Sequence, residues 1–275
     1  MGLLQVAYSS GRDRDLRWRV EETLTERAKL LDLRSDLDAN RSWLAFSVAD
    51  DDLGERLLAI LDLVIDRIDL TRHAGSFPRI GAIDDLRIIA DVEVPNLAAE
   101  IAERYAVPVF LTGLSRNRLT EEDLAAVRER GFGGLMAEMP APDFGPDHVH
   151  PHWGVLPMGR WRFYLTCQVR IAESALNVAA RLAEEVRQYV ELENERFQGV
   201  RAMAYACAAF GDTVLHLEFH EPDLAPPDPV LKWVHVRSEL MRRAVLGAEM
   251  VGAVRPQDLI ATRLAPVRSK QVLWT

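Results

Sequence analysis

The sequence predicts an α+β protein built as two ferredoxin-like-type α/β subdomains, and three observations carry that expectation. The chain has 275 residues and is 48% hydrophobic, enough for two moderate cores, since domains cluster near about 100–150 residues. Strand, helix, strand, strand, helix and strand follow one another through the second half, which is the order of a ferredoxin-like sandwich. Between the halves, Pro140–Pro157 concentrates prolines, glycines and histidines, residues that interrupt regular structure. The expected domains are therefore 1–155 and 156–275.

The individual elements follow from hydrophobic periodicity. Gly2–Tyr8 reads as a buried strand, and Asp15–Lys29 as a charged helix with Leu16, Val20 and Leu24 on one face. Leu30–Leu33 and Ser42–Val48 read as strands. Asp51 or Asp52 is placed to cap the next helix, whose stripe is Leu53, Leu57, Ile60, Leu61 and Val64. Arg72–Gly81 holds Gly75, Pro78 and Gly81 and must be irregular. Leu86–Ala90 and Val107–Leu111 read as strands around the helix Pro95–Tyr105. Thr120 with Asp123 opens a capped helix running to about Arg130. The second half reads as strand Arg162–Ile171, helix Ser174–Glu195, strands Val200–Ala208 and Thr213–His220, helix Val230–Leu246 and strand Ala248–Val254.

Composition excludes several classes. With 33 Lys+Arg against 42 Asp+Glu, the net charge of −9 disfavours a nucleic-acid partner, whose binding rests on neutralising phosphates. A local basic cleft for a small anion stays compatible with it. The two cysteines, Cys167 and Cys207, lie in apolar runs, which fits a reduced, cytoplasmic chain without disulfides. The N-terminus lacks the apolar core of a signal peptide, and no window of about 18 uncharged apolar residues exists to span a membrane.

Six segments, in order, carry a family resemblance: Val6-Ala7-Tyr8-Ser9-Ser10-Gly11-Arg12; Asp38-Ala39-Asn40-Arg41-Ser42; Arg72 to Asp84 with its core Phe77-Pro78-Arg79-Ile80-Gly81-Ala82-Ile83-Asp84; Val107-Pro108-Val109-Phe110-Leu111; Pro142-Asp143-Phe144-Gly145-Pro146; and Gly247-Ala248-Glu249-Met250-Val251-Gly252. Together they resemble the formiminotransferase domain family, found as glutamate formiminotransferase and as the N-terminal half of formiminotransferase-cyclodeaminase. The resemblance implies a ligand channel between two α/β subdomains, tetrahydrofolate or a folate-like ligand, a glutamate-like small-molecule substrate, and a homodimer in one-carbon metabolism and histidine degradation.

The chain departs from the family where chemistry is expected. Phe77 stands where the family keeps its catalytic histidine. Formimino transfer needs a proton to leave the attacking amine and reach the departing nitrogen, and an imidazole suits that task at neutral pH while a phenyl ring cannot perform it. Losing a positioned base costs about 10²–10⁴-fold in rate. A family arginine before the second subdomain aligns with Gly159-Arg160-Trp161, and ligand-facing strand residues align with Gln168-Val169-Arg170 and with His216 and Glu218.

The expected ligand-binding residues are thus Asp38, Asn40, Arg41, Phe77, Arg79, Asp84, Trp161, Gln168 and Arg170. Arg79 suits a ligand carboxylate, or it simply pins an irregular loop together with Asp84. His73 matches a family histidine of structural duty. His216 and Glu218, two apart on a strand, share one face and form a candidate relocated acid/base dyad; the plainer reading is a polar sheet face. His148, His150 and His152 alternate as metal ligands would, yet Pro151 breaks the geometry and no metal is expected. Trp153 and Trp161 are either pterin-stacking rings or core. The chemistry therefore has two readings, an altered one-carbon transferase and a non-catalytic binding or scaffolding relative.

Overall fold

The computed structural model describes residues 1–24, 27–115, 118–172, 176–207 and 212–273. They form two compact units, Met1–Arg162 and Phe163–Thr275, each with its own sheet and core. The division falls after Arg162 rather than after residue 155. The cause is a strand the periodicity did not reveal, Leu156–Arg160, which pairs into the first unit's sheet.

In the first unit the order is β1 (Gly2–Tyr8), α1 (Arg14–Leu24), β2 (Ala28–Asp36), β3 (Arg41–Val48), α2 (Leu53–Arg67), β4 (Ile83–Ile89), α3 (Val94–Tyr105), β5 (Val109–Gly113), α4 (Glu121–Ala137) and β6 (Leu156–Arg160). The sheet runs β2-β3-β1-β4-β6-β5. Its first four strands are antiparallel neighbours, and β6 lies parallel between β4 and β5. The β-α-β-β-α-β start with this strand order is a ferredoxin-like plan extended by two parallel strands. Leu4, Val6 and Tyr8 alternate onto one face of β1 and join Leu16, Val20 and Leu24 of α1 and the α2 stripe in a single core.

Three local expectations change. The strand expected at Leu30–Leu33 is longer, because Ala28 and Lys29 pair with Val48 and Ser47; sheet pairing overrides the helical periodicity there, and residues 25 and 26 lie outside the described set. Neither Asp51 nor Asp52 caps α2: Asp50–Asp52 form a 3-10 turn, and Asp52 has helical backbone instead of the extended cap conformation. The capping box at Thr120 is present, Thr120 Oγ1 accepting from Asp123 N–H at 3.1 Å and Thr120 N–H donating to Asp123 Oδ2 at 3.0 Å. Its helix α4 runs on to Ala137 across a kink at Gly131, whose φ is 63°.

The second unit is β7 (Leu165–Ile171), α5 (Leu176–Glu191), β8 (Val200–Cys207), β9 (Asp212–Phe219), α6 (Pro227–Leu240) and β10 (Val245–Val251), with antiparallel strand order β10-β7-β9-β8. This is the ferredoxin-like arrangement expected from the element order. Leu165, Cys167, Val169 and Ile171 of β7 and Leu215, Leu217 and Phe219 of β9 face a core shared with Leu182 and Val186 of α5 and Val230 and Val234 of α6. The expected start at Ser174 and end at Ala208 lie outside the described residues. Helix α6 begins at Pro227, where a first-turn proline loses no intrahelical bond. It ends before 245 because β10 pairs with β7. Cys167 is buried in the core of this unit. Among the described residues no helix is long and apolar enough to cross a membrane.

Candidate functional site

Three turns of the first unit are laced together by polar side chains. Asn40 has left-handed backbone, φ 48°, which asparagine tolerates better than most residues. Its Oδ1 accepts from the N–H groups of Gly11 at 2.9 Å and Arg12 at 3.2 Å, and its Nδ2 donates to the Ala74 carbonyl at 3.2 Å. Ser76 N–H donates to the Asp38 carbonyl at 2.9 Å. Gly75 allows this approach, since a Cβ there would meet the Ala39 carbonyl at 2.2 Å.

Arg79, buried, sits at the centre of the loop. Its Nη2 donates to the carbonyls of Ala39 at 2.7 Å and Phe77 at 2.5 Å, its Nε donates to Phe77 at 3.2 Å, and its Nη1 contacts the His73 ring. Burial lowers its pKa to about 10, with Asp84 opposing and Arg41 and Arg12 adding to the fall. The guanidinium therefore pins the loop through these backbone carbonyls. Asn40 and the Asp38 backbone do the same work.

His73 Nε2 lies 3.0 Å from the Asn40 carbonyl and its Nδ1 2.6 Å from Arg79 Nη1. Arg79 Nη1 reaches both ring nitrogens, and a ring nitrogen that accepts from the guanidinium belongs to the neutral imidazole. Burial pushes its pKa below the usual 6.5; the Asn40 bond opposes and the charges of Arg79 and Arg12 reinforce the fall. The unfolded chain takes up this proton first, so the stability is fully present above about pH 6.5 and drains as the pH falls towards the folded-state value. His150 is shifted in the same direction by burial. Thermal unfolding from about pH 8 to about pH 5.5 is expected to show falling Tm, with a shallower fall in His73→Gln. An unchanged slope in the variant would remove His73 from the account.

Behind the loop, Asp84 is fully buried and shared. Its Oδ2 lies 3.0 Å from Arg41 Nη2 and 3.2 Å from Arg128 Nη1, and its Oδ1 accepts from Ile80 N–H at 3.0 Å. Burial raises the carboxyl pKa, but Arg41, Arg128, the Ile80 N–H and Arg79 together outweigh it and hold the group below the usual carboxylate range. Arg128, from α4, was not a candidate in the sequence. The Arg41 guanidinium lies over two rings, 5.1 Å from the centroid of Trp43 and 4.9 Å from that of Phe77. Phe77 thus packs on a cation and holds the loop through its carbonyl.

The second unit brings together the other polar candidates. Strand register aligns Gln168, His216 and Met203 in one row and Thr166, Glu218 and Arg201 in the next, on the face opposite the apolar core. Gln168 Nε2 donates to the Tyr205 hydroxyl at 3.1 Å, and Arg170 Nε donates to Asp212 at 2.8 Å. His216 and Glu218 do share a face, but His216 Nε2 is 3.7 Å from Glu218 Oε1, whereas His220 Nε2 is 3.0 Å from Glu218 Oε2. Only the second is a hydrogen-bond distance.

Trp161 belongs to neither group. It lies in the first unit, buried, with its Nε1 donating to Thr112 Oγ1 at 3.3 Å and Arg87 stacked 4.6 Å above its ring. It follows directly on β6, which ends at Arg160, whereas Gln168 and Arg170 lie on β7 of the second unit. Trp153 is stacked on His150 at 4.1 Å. The histidine cluster does not converge: His150 Nδ1 accepts from the Trp153 N–H, His152 Nδ1 pairs with Asp69 and His148 with Asp147. Among the described residues no group of three or more His, Cys, Asp or Glu is placed to hold a metal ion.

Two laced turns, a pinned loop carrying Pro78-Arg79-Ile80-Gly81, and a buried Asp84 define a formiminotransferase-type N-terminal subdomain. Residues 3–160 match the formiminotransferase domain, N-terminal subdomain, and the chain belongs to that family. It is 30% identical over 171 residues to glutamate formimidoyltransferase of Streptococcus pyogenes serotype M1, covering 58% of this chain and 57% of that protein. It is 27% identical over 197 residues to glutamate formimidoyltransferase of Thermoplasma acidophilum, covering 66% and 65%. Against formimidoyltransferase-cyclodeaminase of Gallus gallus it is 24% identical over 265 residues, covering 84% of this chain and 45% of that protein. The matched regions thus span less than two thirds of each of these relatives.

Proposed function

We propose that this chain is a folate-dependent formimino-transfer homologue with an altered catalytic site, acting on a glutamate-like small molecule. The observation that supports it is Phe77. A loop of the family's type keeps Gly75, Pro78, Arg79, Gly81 and Asp84, with Arg79 bonded to the Ala39 and Phe77 carbonyls and Asp84 to the Ile80 N–H, yet position 77 presents a phenyl ring 4.9 Å from the Arg41 guanidinium. The family resemblance puts the catalytic imidazole there, so the scaffold is intact while its proton carrier has changed. The same reading carries a homodimer in a cytoplasmic setting.

The polar face of the second sheet fits the folate part of the proposal. Gln168, Tyr205 and His216 offer hydrogen-bonding groups beside the apolar Val214 and Met203, a set suited to a flat, amide-bearing heterocycle. Folate would supply the nucleophilic nitrogen that accepts the one-carbon unit; the residues named here would hold its ring.

A steady-state assay with formiminoglutamate and tetrahydrofolate, paired with calorimetry for folate binding, tests this. Folate binding with slow, enzyme-dependent turnover is expected. Robust native turnover would sink the idea that Phe77 disables the usual route. No binding heat and no turnover would sink the folate reading. A second reading, a non-catalytic binding relative, draws on His73, whose two ring nitrogens both face partners within the loop; it predicts binding without turnover.

A further inference from the structure

The carboxylate of the second sheet has chosen its imidazole. His216, Glu218 and His220 follow at every second residue along β9 and just beyond it, so alternation alone gives either histidine to Glu218. The geometry separates them. His220 Nε2 donates to Glu218 Oε2 at 3.0 Å, while His216 Nε2 stands 3.7 Å from Glu218 Oε1, at the range of an ion pair and beyond a hydrogen bond. The His220 ring is fixed a second way: it stacks on Tyr164 with centroids 5.0 Å apart and planes 16° from parallel. A third tie anchors its backbone, His220 N–H donating to the Gly199 carbonyl at 2.9 Å. Glu218 is 8% exposed and Tyr164 is buried, so the bond between carboxylate and imidazole is shielded from bulk water.

We propose that His220, oriented by Glu218 and Tyr164, is the acid/base group of the second unit, with Glu218 as its positioning residue. A carboxylate that accepts from one ring nitrogen sets which nitrogen carries the proton and how the ring is turned. Orientation by a third group is the pattern that marks an imidazole prepared for proton transfer. This rests on the reading above that the chain moves a formimino-type group. In that transfer an amine nitrogen bonds to the formimidoyl carbon and loses its proton. The bond from that carbon to the glutamate nitrogen breaks, and the leaving nitrogen gains a proton. One imidazole that accepts the first proton and returns it balances the step without a further reactant. Phe77 cannot do this, and both ring nitrogens of His73 are engaged by Asn40 and Arg79 within its loop.

Two measurements on the full chain test the assignment. Nitrogen-15 NMR of the histidine rings should place the His220 proton on Nε2, and Glu218→Leu should change that tautomer balance. An unchanged pattern in the variant would overturn the dyad whatever the enzymology shows. Turnover of formiminoglutamate with tetrahydrofolate should fall about 10²-fold or more in His220→Gln, with KM little altered, while His235→Gln, on the exposed face of α6, keeps most of it. A His220→Gln protein that is folded by near-ultraviolet circular dichroism and turns over like the parent would overturn the catalytic role alone. A parent chain that binds folate but shows no turnover would overturn both this assignment and the transferase reading.

Discussion

Replacing Phe77 with histidine is expected to raise formimino transfer by about 10²–10⁴-fold, the range a positioned general base contributes. The backbone at this position is already set, because the Phe77 carbonyl accepts from both Nε and Nη2 of Arg79. An imidazole entering the same space would sit where the phenyl ring now lies, with the Arg41 guanidinium 4.9 Å from the ring centroid. A nearby cation disfavours protonation of the imidazole, so the neutral form needed to take a proton would prevail near pH 7. The exchange forfeits part of a cation–π contact worth about 0.5–2 kcal/mol, which the remaining Trp43 stack limits. Gain of turnover at unchanged folate affinity would show that the loop can seat a working base at position 77. If the variant folds, binds folate and still fails to exceed the parent, the loop lacks more than an imidazole.

The parts legible in the sequence are those where a local pattern and the final structure obey the same rule. Thr120 and Asp123 cap a helix because their spacing matches the geometry of its first turn, and the second unit's element order predicted its sheet. Arg128 was invisible because its partner Asp84 is 44 residues away, and α4 reaches it only through tertiary packing. Strand β6 was hidden by Pro157 and Gly159, which read as breakers; pairing to β4 and β5 supplies what propensity lacks. Gly159 is itself required there, since a Cβ would stand 2.0 Å from the Thr112 carbonyl. The choice between His216 and His220 was also beyond periodicity, because both satisfy the same alternation and only side-chain reach decides.

Asp84→Ala is expected to cost about 3–5 kcal/mol of unfolding free energy, the range for breaking a buried ion pair by removing one partner. The size comes from what is left behind. Arg41, 8% exposed, would lose the carboxylate 3.0 Å away; Arg128 and the Ile80 N–H would lose theirs as well. Arg128 would keep Asp85, 3.8 Å away, but Arg41 and the Ile80 N–H would lose the carboxylate they share, and the loop held at Ile80 would lose its inner anchor. Adding Arg128→Met to Asp84→Ala should recover part of the loss, because it removes a charge that has lost one of its anions. Urea denaturation of the parent, the two single variants and the double variant would measure this coupling. A loss below about 1 kcal/mol in Asp84→Ala, the scale of an exposed pair, would mean that water reaches the arginines and that Asp84 is not the brace of the loop. A full-size loss without recovery in the double variant would instead place the stabilisation in the Arg41 and Ile80 contacts, making Arg128 peripheral to the site.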